Sequence, residues 1–207
     1  MVGTTLTLFI LFLSADNEKM LTVGTDCSGI EAPIFALRKL GVRYRHVFSS
    51  EIQPHLRRFI QQVLKPEILY GDITRRDVSR VPRVDIYVAG FPCQPYSKAG
   101  LRGAGSDARA AVLDHVLAYI NTHRPRIVML ENVPQILSHT SIVRKINRSF
   151  LPYASVRQFT LDAADYGVPQ RRRRVFWLAH LSHTTLGAPV FRGRRVPFAG
   201  IMRHKPI

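Results

Sequence analysis

Val84-Asp85-Ile86-Tyr87-Val88-Ala89-Gly90-Phe91-Pro92-Cys93-Gln94 is the stretch on which the fold turns. Val84–Ala89 is short, nearly all apolar and rich in β-branched and aromatic residues, which predicts a buried strand. The glycine and proline that follow break it and leave Cys93 on a loop. Similar runs occur on either side: Leu21–Thr25, His46–Ser50, Ile68–Leu69, Ile127–Leu130 and Val175–Ala179. Helical patterns lie between them. Ile34, Leu37 and Leu40 recur at helical spacing, with Gly41 placed as a C-cap. Pro54–Leu64 carries Leu56, Ile60 and Val63 on one face and stops before Pro66; further helices are predicted over Arg109–His123 and Pro134–Phe150. Strands that alternate with helices predict an α/β fold: a mostly parallel sheet, right-handed crossovers and helices on both faces.

Composition agrees with one folded domain. The chain has 207 residues, 46% of them apolar and 21% charged, which excludes intrinsic disorder. Cys27 and Cys93 are the only cysteines. Two are too few for a disulfide framework or a four-thiolate zinc site, so a reducing, intracellular setting is expected. His180 and His183 lack a nearby acid or thiol in sequence, so no metal site is expected. Thirty Lys+Arg against fourteen Asp+Glu give a net charge of +16, which points to a polyanion, nucleic acid before membrane. Leu6–Leu13 is apolar but too short to span a bilayer and has no basic residue before it. Residues 1–20 are therefore read as an extra strand or appended extension, residues 21–181 as the domain, and residues 182–207 as a basic tail rich in Arg, Pro and Gly.

Ligands of such sheets sit beyond the carboxyl ends of the strands. Five consecutive strand ends carry polar or reactive groups: Asp26-Cys27-Ser28-Gly29-Ile30-Glu31, Glu51-Ile52, Gly71-Asp72-Ile73, Gly90-Phe91-Pro92-Cys93-Gln94 and Glu131-Asn132-Val133. Cys93 on its loop is a candidate nucleophile, set against the inert buried thiol that is the commoner fate of a cysteine. A carboxyl at Glu131, partly desolvated at a strand end, can keep its proton near neutrality; a helix-capping acid is the plainer reading. Glu51 stands where an acid often binds a ribose. Neither G-x-G-x-x-G nor a phosphate-cradling G-x-x-x-x-G-K occurs, which disfavours a nucleotide held through its phosphates. Gln170-Arg171-Arg172-Arg173-Arg174 precedes the last strand; its guanidinium forks suit phosphates and base edges, or simply form a basic surface run.

Together these pieces resemble the DNA cytosine-5 methyltransferase family. Pro92-Cys93-Gln94 with Ser97 and Gly100, Glu131-Asn132-Val133, and Gln170-Arg171-Arg172-x-Arg174 occur in that family's order, and with Ser28-Gly29-Ile30, Glu51 and Asp72 they cover residues 21 to 181. The resemblance implies a Rossmann-like fold that uses S-adenosylmethionine to methylate carbon 5 of a cytosine flipped out of double-stranded DNA, as in restriction-modification. Cys93 would attack carbon 6, Glu131 would protonate ring nitrogen 3, and Arg174 and Arg172 would contact base and carboxylate. Pro92, Gln94 and Ser97 would shape the nucleophile's loop. The cofactor would lie against Cys27, Ser28, Gly29 and Ile30 (methionine part), Glu51 and Ile52 (ribose), Asp72 and Ile73 (adenine), and Gly90. Two positions depart from the family pattern: Cys27 stands where phenylalanine is usual and Glu31 where a second glycine is usual. The family also carries a target-recognition domain and a final helix after the last strand. Here 26 residues follow Leu181, so the expectation is a catalytic domain that is truncated or that needs a partner subunit for target recognition. The nucleus of a eukaryote, or the cytoplasm or nucleoid of a bacterial or viral system, would be the setting. The alternatives are a transfer RNA methyltransferase and a non-catalytic remnant that binds nucleic acid.

Residues 163–207 hold nine Lys+Arg and one acid, +8 of the total +16. Deleting Phe191–Ile207 is expected to weaken nucleic-acid binding at low salt and to flatten its salt dependence. Filter-binding titrations that give an unchanged affinity and slope would reduce the tail to a solvated surface.

Overall fold

Strand β1 (Leu21–Asp26) is buried along almost its whole length because it pairs in parallel with a neighbour on each side, β2 (Tyr44–Ser50) and β4 (Ile86–Ala89). The computed structural model describes residues 20–92 and 108–182. Its single sheet has seven strands in the order β3-β2-β1-β4-β5-β7-β6. The outer members are β3 (Ile68–Tyr70), β5 (Ile127–Asn132), β7 (Arg173–His180) and β6 (Ser155–Asp162). Strands β1 to β5 run parallel; β7 lies antiparallel to both β5 and β6.

Helices cover both faces, as the alternating pattern predicts. Helix α1 (Ala32–Lys39) packs Ile34, Ala36 and Leu37 on Val23, Ile86, Val88, Ile127 and Met129. It ends with Arg38 and Lys39 in its last turn and Gly41 at φ +68°, the C-terminal arrangement read from the sequence. Helix α2 (Pro54–Phe59) continues into a π turn (Ile60–Leu64) that stops at Lys65 with positive φ, before Pro66. On the opposite face α3 (Ala108–His123) and α4 (Thr140–Ser149) close a core around Tyr87, Tyr119, Ile120, Ile146 and Trp177.

Three sequence expectations change. The helix expected over Pro134–Phe150 is two pieces, a 3-10 turn (Pro134–Ser138) and α4, divided at His139. Ser138 Oγ donates to the Gln135 carbonyl at 2.8 Å, a side-chain bond that competes with helix continuation. Strand β6 has no counterpart in the apolar pattern because it is an edge strand: most of its Ser155–Gln158 half is exposed, and pairing with β7 alone defines it. Strand β5 runs two residues past Leu130, so Glu131 and Asn132 belong to the strand itself, opposite Phe176 and Val175.

What positions the site is a buried charge cluster at the carboxyl end of β1. A Cβ on Gly24 would meet the Phe48 ring at 2.2 Å, so only glycine lets that ring lie across β1. Phe48 meets the rings of Tyr70, Tyr87 and Tyr119. Over three of these rings (Phe48, Tyr70, Tyr119) sits the Arg76 guanidinium, 5.2 to 6.0 Å from their centroids. It grips Asp26 with both terminal nitrogens, one of them at 2.7 Å, and also donates to Ser50 Oγ. Tyr87 adds a 2.5 Å bond to the same carboxylate. Both charged side chains are nearly sealed from solvent, Arg76 6% exposed and Asp26 0%. Burial by itself would lower the Arg76 pKa, but the Asp26 carboxylate more than reverses this and raises it. Removing one partner of such a pair strands the other. Arg76→Leu is expected to cost about 3–5 kcal/mol, read as a fall in Tm on the order of 10 °C. A melt unchanged within about 2 °C, well inside the shift that such a loss implies, would show that the pair carries no such weight.

Candidate active site

Just past Asp26 the chain enters a turn that few sequences tolerate. Cys27 (φ 53°), Gly29 (φ 55°) and Glu31 (φ 61°) all take positive φ, and only the glycine does so without strain. The turn survives because its neighbours hold it. Ser28 N donates to the Ser50 carbonyl at 3.1 Å, Glu31 N to the Ser28 carbonyl at 2.8 Å, and Gly29 N to Glu51 Oε2 at 2.8 Å. Glu51, at the end of β2, also accepts from Gln53 N at 2.8 Å and is 7% exposed. Burial pushes the Cys27 thiol far above its ordinary range, so this cysteine is a packed, protonated wall.

A cavity of about 410 Å³ opens beside the turn. Cys27, Ser28, Gly29 and Ile30 line one end; Gly90, Glu131, Arg172 and Arg174 line the other. These expected site residues, scattered from position 27 to 174, thus share one space. Glu51, Ile52, Asp72 and Ile73 are not among its lining residues. Ile52 is 60% exposed and Ile73 is buried in the core. The Asp72 carboxyl caps its own turn, accepting from Thr74 N at 2.9 Å and Thr74 Oγ1 at 2.8 Å. Those bonds hold its pKa below the usual carboxylate value. Pro92 follows the buried Phe91. Cys93, Gln94 and Ser97 lie outside the described residues, as do residues 1–19 of the amino-terminal extension and residues 183–207 of the tail.

Glu131 is the acid of the far end. Its Oε1 receives Arg174 Nε at 2.8 Å, with both side chains about a quarter exposed. Burial raises the carboxyl pKa and the guanidinium groups of Arg174 and Arg172 partly offset this, so the net shift is upward. The helix-capping reading of Glu131 does not apply: Val133 is the N-cap of the following turn, which has no side-chain cap bond. A Cβ on Gly90 would stand 3.4 Å from Glu131 Oε2, so this strand end lies directly beside the carboxyl. Beyond Arg172 and Arg174 the space continues into a second cleft, about 470 Å³, whose walls include Gln170, Arg171 and Arg173.

Sequence reasoning missed several contributors. Asn132, 2% exposed, donates from Nδ2 to the Phe91 carbonyl at 2.9 Å, tying the end of β5 to the segment that leads into Pro92 and Cys93. Leu161, Tyr166 and Phe176 complete the cavity wall from β6, the turn after it and β7. No local motif signals them, because their role comes from antiparallel pairing at the far edge of the sheet.

Fold and site together define a methyltransferase-like α/β domain with an acid-arginine pair facing a ligand cavity. The C-5 cytosine-specific DNA methylase family profile matches residues 26–195. Type II methyltransferase M.NlaX of Neisseria lactamica is 36% identical over 142 residues, 67% of this chain and 45% of that protein. M.HhaI of Haemophilus parahaemolyticus is 36% identical over 118 residues, 55% of this chain and 35% of its own. Among solved structures, the Entamoeba histolytica methyltransferase EhMeth superposes with a TM-score of 0.72 at 17% identity, over 86% of this chain and 58% of that one. The S. pombe Dnmt2 methyltransferase gives 0.67 at 19% identity, over 80% and 52%. The chain belongs to the C-5 cytosine-specific DNA methylase family. It spans less than half the length of the two type II relatives named here.

The carboxyl at position 131 offers a direct check of this electrostatic arrangement. Arg174→Gln removes the nearer of the two charges that restrain its pKa, so the value should climb further above the free carboxylate range. Carboxyl-carbon NMR titration reads that shift; an unmoved midpoint would mean that the pair is electrostatically idle.

Proposed function

We propose that the protein transfers a methyl group from S-adenosylmethionine to carbon 5 of cytosine in double-stranded DNA. The observation that carries this reading is Glu131. It is a carboxyl with a raised pKa, gripped by Arg174 at 2.8 Å, in the same cavity as the β1 turn. Family membership and the type II relatives support DNA as substrate.

The β1 turn and the cavity beside it fit the cofactor. The cavity is large enough for a nucleoside joined to an amino acid. A Cβ on Gly29 would meet nothing within 4 Å, so the turn is open at that point. Each Glu51 oxygen retains a lone pair beyond its backbone bond. Cys27, Ser28, Gly29 and Ile30 would hold the methionine part, and Glu51 with Ile52 the ribose. The same reading assigns the adenine to Asp72 and Ile73, which stand outside the cavity lining, and sets Gly90 against the cofactor within it. When bound, the cofactor supplies an electrophilic methyl group on a sulfonium.

The remaining chemistry falls to the chain. A cytosine must leave the duplex before a thiolate can reach its ring face. Cys93 would then add to carbon 6 as the Glu131 proton goes to ring nitrogen 3, which draws the electron pair away from the site of attack. Arg174, with Arg172 beside it, holds the Glu131 carboxyl in place and compensates the charge left there. Carbon 5, made nucleophilic, would take the methyl group; loss of its proton to solvent expels the Cys93 thiolate, and ring nitrogen 3 returns its proton to Glu131 as the ring is restored. Pro92 would limit the backbone freedom of the nucleophile's segment, and Gln94 and Ser97 would shape it. The arginine cleft would receive the phosphates, and a partner subunit that chooses the target would meet the chain there. Such a substrate places the protein with cellular DNA.

The test is covalent trapping. A duplex carrying 5-fluorocytosine, which cannot lose the final proton, should form a denaturation-stable adduct when cofactor is present. Cys93→Ala should abolish the adduct. Stronger trapping of a matched transfer RNA would move the substrate to RNA, and cofactor-loaded protein that traps no duplex would overturn the catalytic reading.

A further inference from the structure

Beneath the cofactor turn lies a carboxyl that the proposed reaction does not use. Glu31 is fully buried yet contributes to the wall of the cavity. Its Oε1 is well supplied: Thr25 Oγ1 donates at 2.6 Å and Ser49 Oγ at 2.5 Å, with His46 Nε2 at 3.7 Å. Its Oε2 is buried without a hydrogen-bond partner among the described residues. The other described carboxyls of the cavity wall are answered. Asp26 has Arg76, Glu131 has Arg174, and Asp162 accepts from the Arg172 and Ala164 backbone N–H groups. Glu31 thus has half a carboxylate waiting for positive charge, at a position where the family usually has glycine.

We infer that Glu31 is a specificity-determining residue for the cofactor: its unanswered carboxylate oxygen is the charge partner of a cationic sulfonium ligand in the cavity, and it distinguishes that ligand from the neutral thioether left after methyl transfer. The inference rests on the cofactor reading above. Contact is not required, because a charge in a poorly solvated wall acts across several ångströms. Loaded cofactor stabilises the ionised carboxyl, whereas the spent thioether does not, so the site favours the reactant and releases the product.

The surroundings allow that switch near neutral pH. Burial raises the Glu31 pKa to about 7, against the opposing pull of the Ser49 and Thr25 hydroxyl bonds and the nearby Ser28 hydroxyl; Asp26 pushes the same way as burial. His46, on β2, is no counter-charge: burial and Arg38 lower its pKa to about 4, so it is neutral. From the other side Arg76 is committed to Asp26, and the Glu51 carboxylate to Gly29 N and Gln53 N. The unliganded carboxyl is therefore divided between its two forms near pH 7, and a cation in the cavity must release part of a proton. For folding the sign is opposite to that of a salt-bridged acid. A carboxyl with a raised folded pKa lowers stability progressively from about pH 4.5 to about pH 7, with no further loss above.

Isothermal titration calorimetry of the full chain decides the matter, with S-adenosylmethionine and S-adenosylhomocysteine as the two probes. The wild type is compared with Glu31→Gln, which keeps the shape and cannot ionise. In the wild type, the preference for the sulfonium ligand should rise by up to roughly tenfold between about pH 6 and about pH 8, relative to the variant. Buffers of different ionisation heat should show proton release on sulfonium binding that the variant lacks. The variant reports the ligands' own titration. Identical pH profiles and proton release in the two proteins would overturn the inference while leaving the cofactor assignment intact. No binding of either ligand to the wild type would overturn the cofactor assignment and the inference with it. Should the variant fail to fold, a carboxyl-carbon titration of the wild type replaces it. A glutamate resonance with a midpoint near neutrality that moves with the sulfonium ligand and not the thioether supports the inference, and the lack of one overturns it.

Discussion

The Asp26–Arg76 pair is the constraint on which the site depends. Two charges taken almost wholly out of water gain little net stability from each other, since desolvation consumes most of the attraction. What they add is direction. Arg76, between the 3-10 turns Ile73–Arg75 and Val78–Arg80, holds the last residue of β1, touches Ser50 at the end of β2, and lies against rings from β2, β3 and α3. Tyr87 binds the same carboxylate from β4. Three adjacent strand ends are therefore set at fixed heights, and each is the root of a segment that lines or supports the cavity.

With that edge fixed, the strained turn after β1 becomes tolerable. Three positive φ angles within five residues would unwind in isolation. Here Ser50, Glu51 and the Glu31 side chain bind the turn from beneath, so its backbone stays aimed at the cavity. The far end of the cavity is built on another principle. Glu131 and Arg174 face each other across an antiparallel pair of strands, and the register Glu131↔Phe176 sets how close they come. The cavity thus joins a turn held by parallel neighbours to a charge pair held by antiparallel ones.

Much of this architecture is legible in the sequence. The apolar runs around Val84–Ala89 locate the parallel strands, and polar groups after consecutive runs mark the functional edge. Gly41 reads as a helix end because positive φ there favours glycine. Strand β6 is not legible, because an exposed edge strand needs few apolar residues. Its one strand partner, β7, comes beside it only by folding back between β5 and β6. The role of Asn132 is hidden for a related reason. A buried amide looks like any loop asparagine until its partner, the Phe91 carbonyl, is known.

Fold class, the succession of parallel strands along the chain, the basic charge balance and the residue types at the strand ends are all written into the linear chain. They follow from periodicity, charge and spacing, which are local properties. Packing in three dimensions alone settles that Glu131 meets Arg174, that Asp26 is claimed by Arg76, and that one Glu31 oxygen is buried without a donor. Each of these depends on which groups are desolvated together. Desolvation is a property of the packed molecule, and no run of residues carries it alone.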